Sequence, residues 1–217
     1  MVQFAGNFPI FTIKLNQLNL LKRLTEIFRK NNGIVRMKYL RQAGIHNREI
    51  SSALTSGLIE KIKPGLYKLA GYPWDENSSF VDICAAKSSS VICLISAAVF
   101  YEFTTFNPPE IHTAIPNHSR KINIAYPPVK VYYFSGKYYS FGIETHKAAG
   151  GIFHIYSEEK TIIDLFRYRQ KIGDDLAFES LKSYLRKSRS NPGKLINAAS
   201  QLGTEQIILP SVKAMMI

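Results

Sequence analysis

The sequence predicts an α+β protein of two domains, a small basic domain followed by a larger mixed one. Apolar residues recur at helical spacing near both ends of the chain, while short runs rich in β-branched and aromatic residues, typical of strands, lie in the middle. The net charge is +12 over 217 residues, and residues 14–70 alone carry +9 of it. A turn-rich stretch that holds the single tryptophan, residues 71–79, follows this basic segment and marks the boundary.

The composition indicates a folded protein that works in the cytoplasm. The longest apolar run, residues 91–101, is interrupted at Ser96 and falls well short of the roughly 20 residues that a membrane-spanning helix needs. The first eleven residues lack a basic segment, and Pro9 interrupts their apolar stretch, so we expect no signal peptide.

The two cysteines predict neither a disulfide framework nor a metal site. Cys84 and Cys93 have no CxxC spacing, and no histidine cluster accompanies them. We therefore expect both to be buried as small apolar side chains, and we expect no cofactor and no metal.

The first helix is predicted over residues 20–30. Its apolar positions repeat at helical spacing, its remaining positions carry charge, and Asn31, Asn32 and Gly33 end it. Ile34 and Val35 then predict a very short strand.

Two further helices follow with the spacing of a helix-turn-helix. The second covers residues 36–44 and ends at Gly44, which suits the left-handed position after a helix. The third follows a turn over residues 44–46, with Asn47 as its expected N-cap, and places Ile50 and neighbouring apolar residues on one face.

The opposite face of the third helix has the character of a groove-reading surface. It carries Arg48, Ser52 and Thr55, with Ser51 and Ser56 on its flanks. Small hydroxyls permit close approach to base edges, and arginine can pair with two acceptors on guanine. An ordinary solvated helix face is the alternative that this helix by itself leaves open.

A hairpin after the third helix predicts a wing. Its two alternating segments, LIEKIK and LYKLA, flank Pro64 and Gly65, which suit the central positions of a type II turn. Because two-residue hairpins prefer other turn types, we expect a somewhat longer loop. With Lys61, Lys63 and Lys68 near the tip, the whole predicts a winged helix-turn-helix that binds double-stranded DNA. A winged helix that contacts only protein is the alternative.

The second domain is predicted to mix helices and strands. FVDICAAK and VICLISAAVFYEF predict helices, and EIHTAIP, VKVYYF, FGIETH and GIFHIY predict short strands. A helix capped by Ser157 follows, with two glutamates in its first turn, and then a helix from Asp174 and a final helical pair. We therefore divide the chain into an extension (1–13), a winged helix-turn-helix (14–71), a linker (72–79) and an α+β domain (80–217).

The order of these segments resembles the AbiEi family of antitoxins from about residue 17 to residue 212. The resemblance rests on a basic winged helix, then SSSVICLISAAVFYEFTTF, then EIHTAIP, then IYSEEKTIIDLFRYRQKIGDDLAFESLKSYL. The segment at residues 156–185 is its most specific part. Residues 1–13 look like an addition to the family pattern.

The resemblance implies an antitoxin of an abortive-infection toxin–antitoxin system that also represses its own operon. Operator DNA would be bound by the winged helix, and the C-terminal domain would counter a nucleotidyltransferase-like toxin of the AbiEii type. The DNA-binding candidates are cations and short polar residues: Arg36, Lys38, Arg41, Asn47, Arg48, Ser51, Ser52, Thr55, Lys61, Lys63 and Lys68. The candidates for the antitoxin surface are cations of the C-terminal helices: Arg167, Arg169, Lys171, Lys182, Arg186 and Lys187. Simple solvation of a helix exterior is the alternative for each cation of this second set.

Two alternatives to this function remain at the level of sequence. One is a stand-alone winged-helix regulator without a toxin. The other is a metal-dependent nuclease that uses Glu158 and Lys160 with an earlier acid, for which the candidates are Asp82, Glu110 and Glu144. Because such chemistry needs both side chains on one strand, and helix capping explains the glutamates, we expect no catalytic residues. Asp164 is expected to pair with Arg167 or Tyr168 on its own helix.

Overall fold

The computed structural model describes residues 15–73, 75–188 and 190–216, with side chains from residue 18 onward. These residues form two compact units. The first ends at Tyr72, and the second begins at Pro73 and also takes in Ile62–Pro64. The predicted extension over residues 1–13 lies outside the described residues, as does Trp74 of the predicted linker.

The first unit combines three helices with a small sheet. Its elements are α1 (Leu15–Lys30), β1 (Ile34–Arg36), α2 (Met37–Gln42), α3 (Asn47–Thr55), β2 (Ile59–Lys63), whose last two residues belong to the second unit, and β3 (Leu66–Leu69). The strands lie in the order β1-β3-β2, and β1 is antiparallel to β3, with Val35 opposite Tyr67. One hydrophobic core joins α1, the helix-turn-helix and the wing: Leu24, Phe28, Val35, Leu40, Ile45, Ile50, Ala53, Ile59, Tyr67 and Leu69.

Two glycines adopt the backbone geometry that the sequence predicts for them. Helix α2 ends at Gln42 rather than at the predicted Gly44, but Gly44 takes the left-handed position after the helix, with φ of +77°, and the amide of Ile45 donates to the carbonyl of Leu40. Gly65 also has φ of +77°, as a type II turn requires at its third position. Pro64 and Gly65 alone connect β2 to β3. The longer wing loop that we expected is therefore wrong.

Two helix starts in the first unit also differ from the prediction. Helix α1 begins at Leu15 rather than Leu20, because residues 15–19 contain no helix breaker and continue the helical pattern. The N-cap of α3 is His46 rather than Asn47, because extended backbone continues through His46, with φ of −80° and ψ of 157°. The Glu49 carboxylate accepts a hydrogen bond from the His46 amide at 2.7 Å, as in one half of a capping box.

The second unit surrounds a mixed five-stranded sheet with helices. Its strands are β4 (Val91–Ile92), β5 (Ile111–Pro116), β6 (Val129–Phe134), β7 (Ile143–Ala148) and β8 (Gly151–Tyr156), and they lie in the order β6-β5-β4-β8-β7. Its helices are α4 (Ser78–Ala86), α5 (Leu94–Phe100), α6 (Lys137–Ser140), α7 (Glu158–Ile172), α8 (Asp174–Arg186), α9 (Pro192–Gln201) and α10 (Glu205–Met215). Helix α7 packs against α5, α8 and α9. Ser157 caps it through a hydrogen bond from the Lys160 amide, as predicted.

Two segments of the second unit depart from the prediction: the short helix α6, which was not predicted, and VICLISAAVFYEF. VICLISAAVFYEF was predicted as one helix, but it forms β4 and then the shorter α5. Ile92 completes the sheet by lying beside Thr113 of β5 on one side and Ile155 of β8 on the other. An apolar run of this length does not distinguish a buried strand from a buried helix, and pairing on both sides decided for the strand. Among the described residues, no helix combines the length and the apolar character that crossing a bilayer requires.

Candidate nucleic-acid interface and antitoxin surface

Helix α3 presents the polar face that the sequence predicts. Ile50 and Ala53 are buried in the core of the first unit. The side chains of the opposite face are exposed: Arg48, Ser51, Ser52, Thr55 and Ser56. Since α3 follows α2 through a short turn, α3 occupies the position of the second helix of a helix-turn-helix.

Helix α2 and its N-cap residue add further cations to the first unit. Arg36, Lys38 and Arg41 are exposed, as is Asn47 on α3. Arg41 and Arg48 line one concavity of about 460 Å³, together with Ile45, His46 and Asn47. The fold thus brings two guanidinium groups and two polar side chains together at the N-terminus of the helix, where the backbone dipole also favours anions.

The three wing lysines differ in their surroundings. Lys61 is exposed. Lys68 is mostly buried, and its ammonium lies 3.3 Å from a carboxylate oxygen of Glu60. Lys63 is half-buried and belongs to the second unit, where its ammonium donates a hydrogen bond to the carbonyl of Ala86. Lys61 is therefore the wing lysine best placed to meet a phosphate.

Two residues near this face were missed by the sequence prediction. His46 lines the same concavity as Arg41, and Arg23 of α1 contacts the turn between α2 and α3. The position of His46 in the helix-turn-helix turn was a usable signal. No local pattern marks Arg23, because its contacts lie about twenty residues further along the chain.

Three predicted antitoxin-surface cations have partners within the second unit. Arg167 pairs with Asp164 at 2.8 Å and lies 3.8 Å from the centre of the Tyr138 ring. Arg169 lies 3.3 Å from Asp174. The ammonium of Lys187 lies 3.2 Å from a carboxylate oxygen of Glu158 and 4.7 Å from the ring centre of Phe103.

The other three candidates are more accessible. Lys171, Lys182 and Arg186 are exposed. Lys182 and Arg186 are four residues apart on α8, so their side chains share one face of the helix. These three cations are the predicted antitoxin-surface residues whose side chains are exposed.

Helix α7 carries a buried ionic cluster. Lys160 and Asp164 of α7 are fully buried and paired, and Arg167 completes the cluster. The Lys160 ammonium also lies 4.3 Å from the ring centre of Tyr156. Burial raises the pKa of Asp164, although the charges of Lys160 and Arg167 act to lower it. Burial lowers the pKa of Lys160. The predicted pairing of Asp164 with Arg167 is confirmed, and Lys160 adds a second partner.

The arrangement gives no support to the nuclease alternative. Glu158 pairs with Lys187 at the start of α7, and Lys160 points into the buried cluster rather than toward solvent. Within residues 15–73, 75–188 and 190–216, no group of three His, Cys, Asp or Glu side chains is placed to hold a metal ion.

Burial raises the pKa of the Cys84 thiol to about 11, so this cysteine is a protonated apolar side chain at neutral pH.

Three helices followed by a two-stranded wing define the first unit as a winged helix-turn-helix domain. Residues 22–70, which run from within α1 through β3, match the family described as "Transcriptional regulator, AbiEi antitoxin". The resemblance to AbiEi antitoxins is thereby confirmed over residues 22–70, and the matched family is described as one of transcriptional regulators. The most specific part of the resemblance, residues 156–185, lies outside the matched segment. No curated protein matches the chain.

Proposed function

We propose that this protein is an antitoxin that represses its own operon by binding operator DNA through its winged helix. The observation that carries the proposal is the exposed face of α3, which holds Arg48, Ser52 and Thr55 within the segment that matches AbiEi regulators. This face has the residue types that reading a major groove requires.

In the proposed complex, α3 enters the major groove and the surrounding cations hold the phosphate backbone. Arg48 pairs with two acceptors on a guanine, and the hydroxyls of Ser51, Ser52 and Thr55 allow close approach. Arg36, Lys38, Arg41 and Lys61 contact phosphates and set the register. Because such contacts release counterions, the affinity falls steeply as the salt concentration rises.

The second unit would supply the antitoxin activity. Lys171, Lys182 and Arg186 offer an exposed basic surface that fits an acidic surface on a nucleotidyltransferase-like toxin. The AbiEi match supports such a partner for this chain. Both activities belong in the cytoplasm, where operator DNA and a newly made toxin are present together.

A stand-alone regulator is the second candidate function. It is favoured by the extent of the family match, which covers the winged helix over residues 22–70 and not the second unit. In that case the protein would bind operator DNA without opposing any toxin.

The test combines DNA binding with rescue from toxicity. Fluorescence anisotropy would measure binding to a duplex from upstream of the gene and to a shuffled duplex of the same composition, at about 50 and 200 mM salt. We expect tighter binding to the upstream duplex and a loss of affinity of at least about tenfold at the higher salt. Equal affinity for the two duplexes would contradict operator recognition.

The second arm co-expresses the protein with a candidate nucleotidyltransferase-like toxin from an adjacent reading frame. Restored growth is expected for the antitoxin. Operator binding without restored growth would establish the stand-alone regulator.

A further inference from the structure

Arg23 lies on α1, but its guanidinium contacts the turn between α2 and α3. Its Nη2 donates to the carbonyls of Ala43 and Gly44, each at 3.3 Å. Its Nη1 lies 4.0 Å from Oε1 of Glu49, in the first turn of α3. One side chain therefore connects α1 to both the turn and the start of α3.

Glu49 links Arg23 to the start of α3. Its Oε2 accepts the hydrogen bond from the amide of His46, the N-cap residue, at 2.7 Å. The two carboxylate oxygens thus serve different groups, one on α1 and one at the helix start. Asn47 and Arg48, both candidates for DNA contact, directly follow that N-cap.

We propose that Arg23 is a positioning residue of the DNA interface, which holds the N-terminal turn of α3 in register and does not itself contact phosphate. The inference rests on the proposed operator binding. Arginine suits this role because its rigid fork presents donors in fixed directions, which can reach two carbonyls and a carboxylate at once. A lysine, with one flexible ammonium, cannot reproduce that geometry.

The competing role is a direct phosphate contact, because the Arg23 side chain is 50% exposed on a basic unit. The two roles predict different salt behaviour. Removing a phosphate contact weakens all sequences alike and reduces the slope of log affinity against log salt by about 1. Removing a positioning residue weakens operator binding and leaves the slope unchanged, since the number of phosphate contacts stays the same.

The experiment compares Arg23→Met and Arg23→Lys with Lys22→Met in the full chain. Lys22 is the exposed neighbour on α1, so Lys22→Met makes the same change of charge without touching the turn. Relative to this control, we expect Arg23→Met to bind the upstream duplex about fivefold more weakly and the shuffled duplex equally well. The salt slope should equal that of the control, and Arg23→Lys should not restore operator affinity. A reduced slope, or full recovery with lysine, would overturn the proposal.

A DNA-free measurement separates this inference from the proposed function. Hydrogen exchange of the His46 amide should be faster in Arg23→Met and in Glu49→Ala, and the double variant should add little to either change. If the parent protein binds no operator, the proposed function fails. Hydrogen exchange of the His46 amide still tests whether Arg23 holds the start of α3 through Glu49. Unchanged exchange in a folded Arg23→Met would overturn that role of Arg23. If circular dichroism shows that Arg23→Met is unfolded, Arg23→Lys replaces it in both the DNA-binding and the hydrogen-exchange measurements.

Discussion

Arg48 and Lys63 belong to the same predicted interface, but their surroundings differ. Arg48 is exposed beside Arg41, whereas Lys63 is half-buried and donates to a backbone carbonyl. The helical period was enough to place Arg48 outside, because that period depends on local backbone geometry. Nothing in the local sequence marks the carbonyl that engages Lys63.

Arg48→Ala should reduce operator affinity by about 1–3 kcal/mol and relax specificity at one base pair, because a bidentate contact to a base edge is lost. Binding to a panel of single-base operator variants would measure both effects. Arg29→Ala, at the exposed end of α1, is the matched control and should bind operator like the parent. If Arg48→Ala discriminates between the operator variants as the parent does, Arg48 does not read a base.

His112 should make the second unit sensitive to acid. Burial, with a contribution from nearby Lys130, lowers the pKa of His112 from 6.5 to about 4. Between these two values the unfolded chain binds a proton that the folded chain does not. The free energy of unfolding therefore falls as the pH falls from about 6.5 toward 4.

The melting temperature across this pH range would test the role of His112. His112→Gln should flatten the dependence, whereas His118→Gln, at an exposed position, should leave it as in the parent. Equal slopes for the parent and His112→Gln would show that other groups cause the loss of stability in acid.

At the scale of secondary-structure elements, the wing shows how one hairpin can divide its cations between two tasks. Lys68 pairs with Glu60 on the neighbouring strand, while Lys61 is exposed. A cross-strand pair of this kind supports the hairpin and leaves less charge for a ligand. The alternation of the strands was predictable, but which lysine remains available for DNA was not.

Lys61→Ala should weaken operator and shuffled DNA by the same factor and reduce the salt slope by about 1, since a phosphate contact carries no sequence information. Lys63→Ala should have a smaller effect, because its ammonium is already engaged by a carbonyl. Affinity measured at several salt concentrations gives the slope. A change confined to the operator duplex would mean that Lys61 reads sequence instead.

Helix α7 depends on its buried ionic cluster. Asp164→Asn should lower the free energy of unfolding by about 3–5 kcal/mol, because the buried Lys160 loses its carboxylate partner. Asp174→Asn removes a carboxylate that is 64% exposed and pairs with Arg169, so that variant should lose less than about 1 kcal/mol. Urea unfolding measures both variants. Similar losses would show that burial adds nothing to the importance of Asp164.

On the scale of the whole molecule, the two proposed activities are assigned to different units. The predicted DNA-contacting face of α3 lies in the first unit, and the accessible antitoxin candidates lie on α7 and α8 of the second. Changes confined to one unit should therefore affect one activity.

Lys182→Glu/Arg186→Glu should abolish rescue from the toxin and leave operator affinity unchanged, because the reversed charges repel an acidic partner surface. Arg120→Glu/Lys121→Glu reverses the same kinds of charge at other exposed positions of the second unit and should retain rescue. Growth in the presence of the toxin and anisotropy on operator DNA give the two readouts. Rescue by both variants would place the antitoxin surface elsewhere.

The sequence by itself determined the α+β class, the helix-turn-helix spacing, the position of the wing turn at Pro64 and Gly65, and the polar face of α3. Each depends on interactions between residues close along the chain, such as helical periodicity, turn chemistry and capping. Only the tertiary structure decided that Val91 and Ile92 form a central strand, that Arg23 contacts the helix-turn-helix turn, and that Lys187 pairs with Glu158. These contacts join residues about twenty or more positions apart, so they exist only once the packed core brings their elements together.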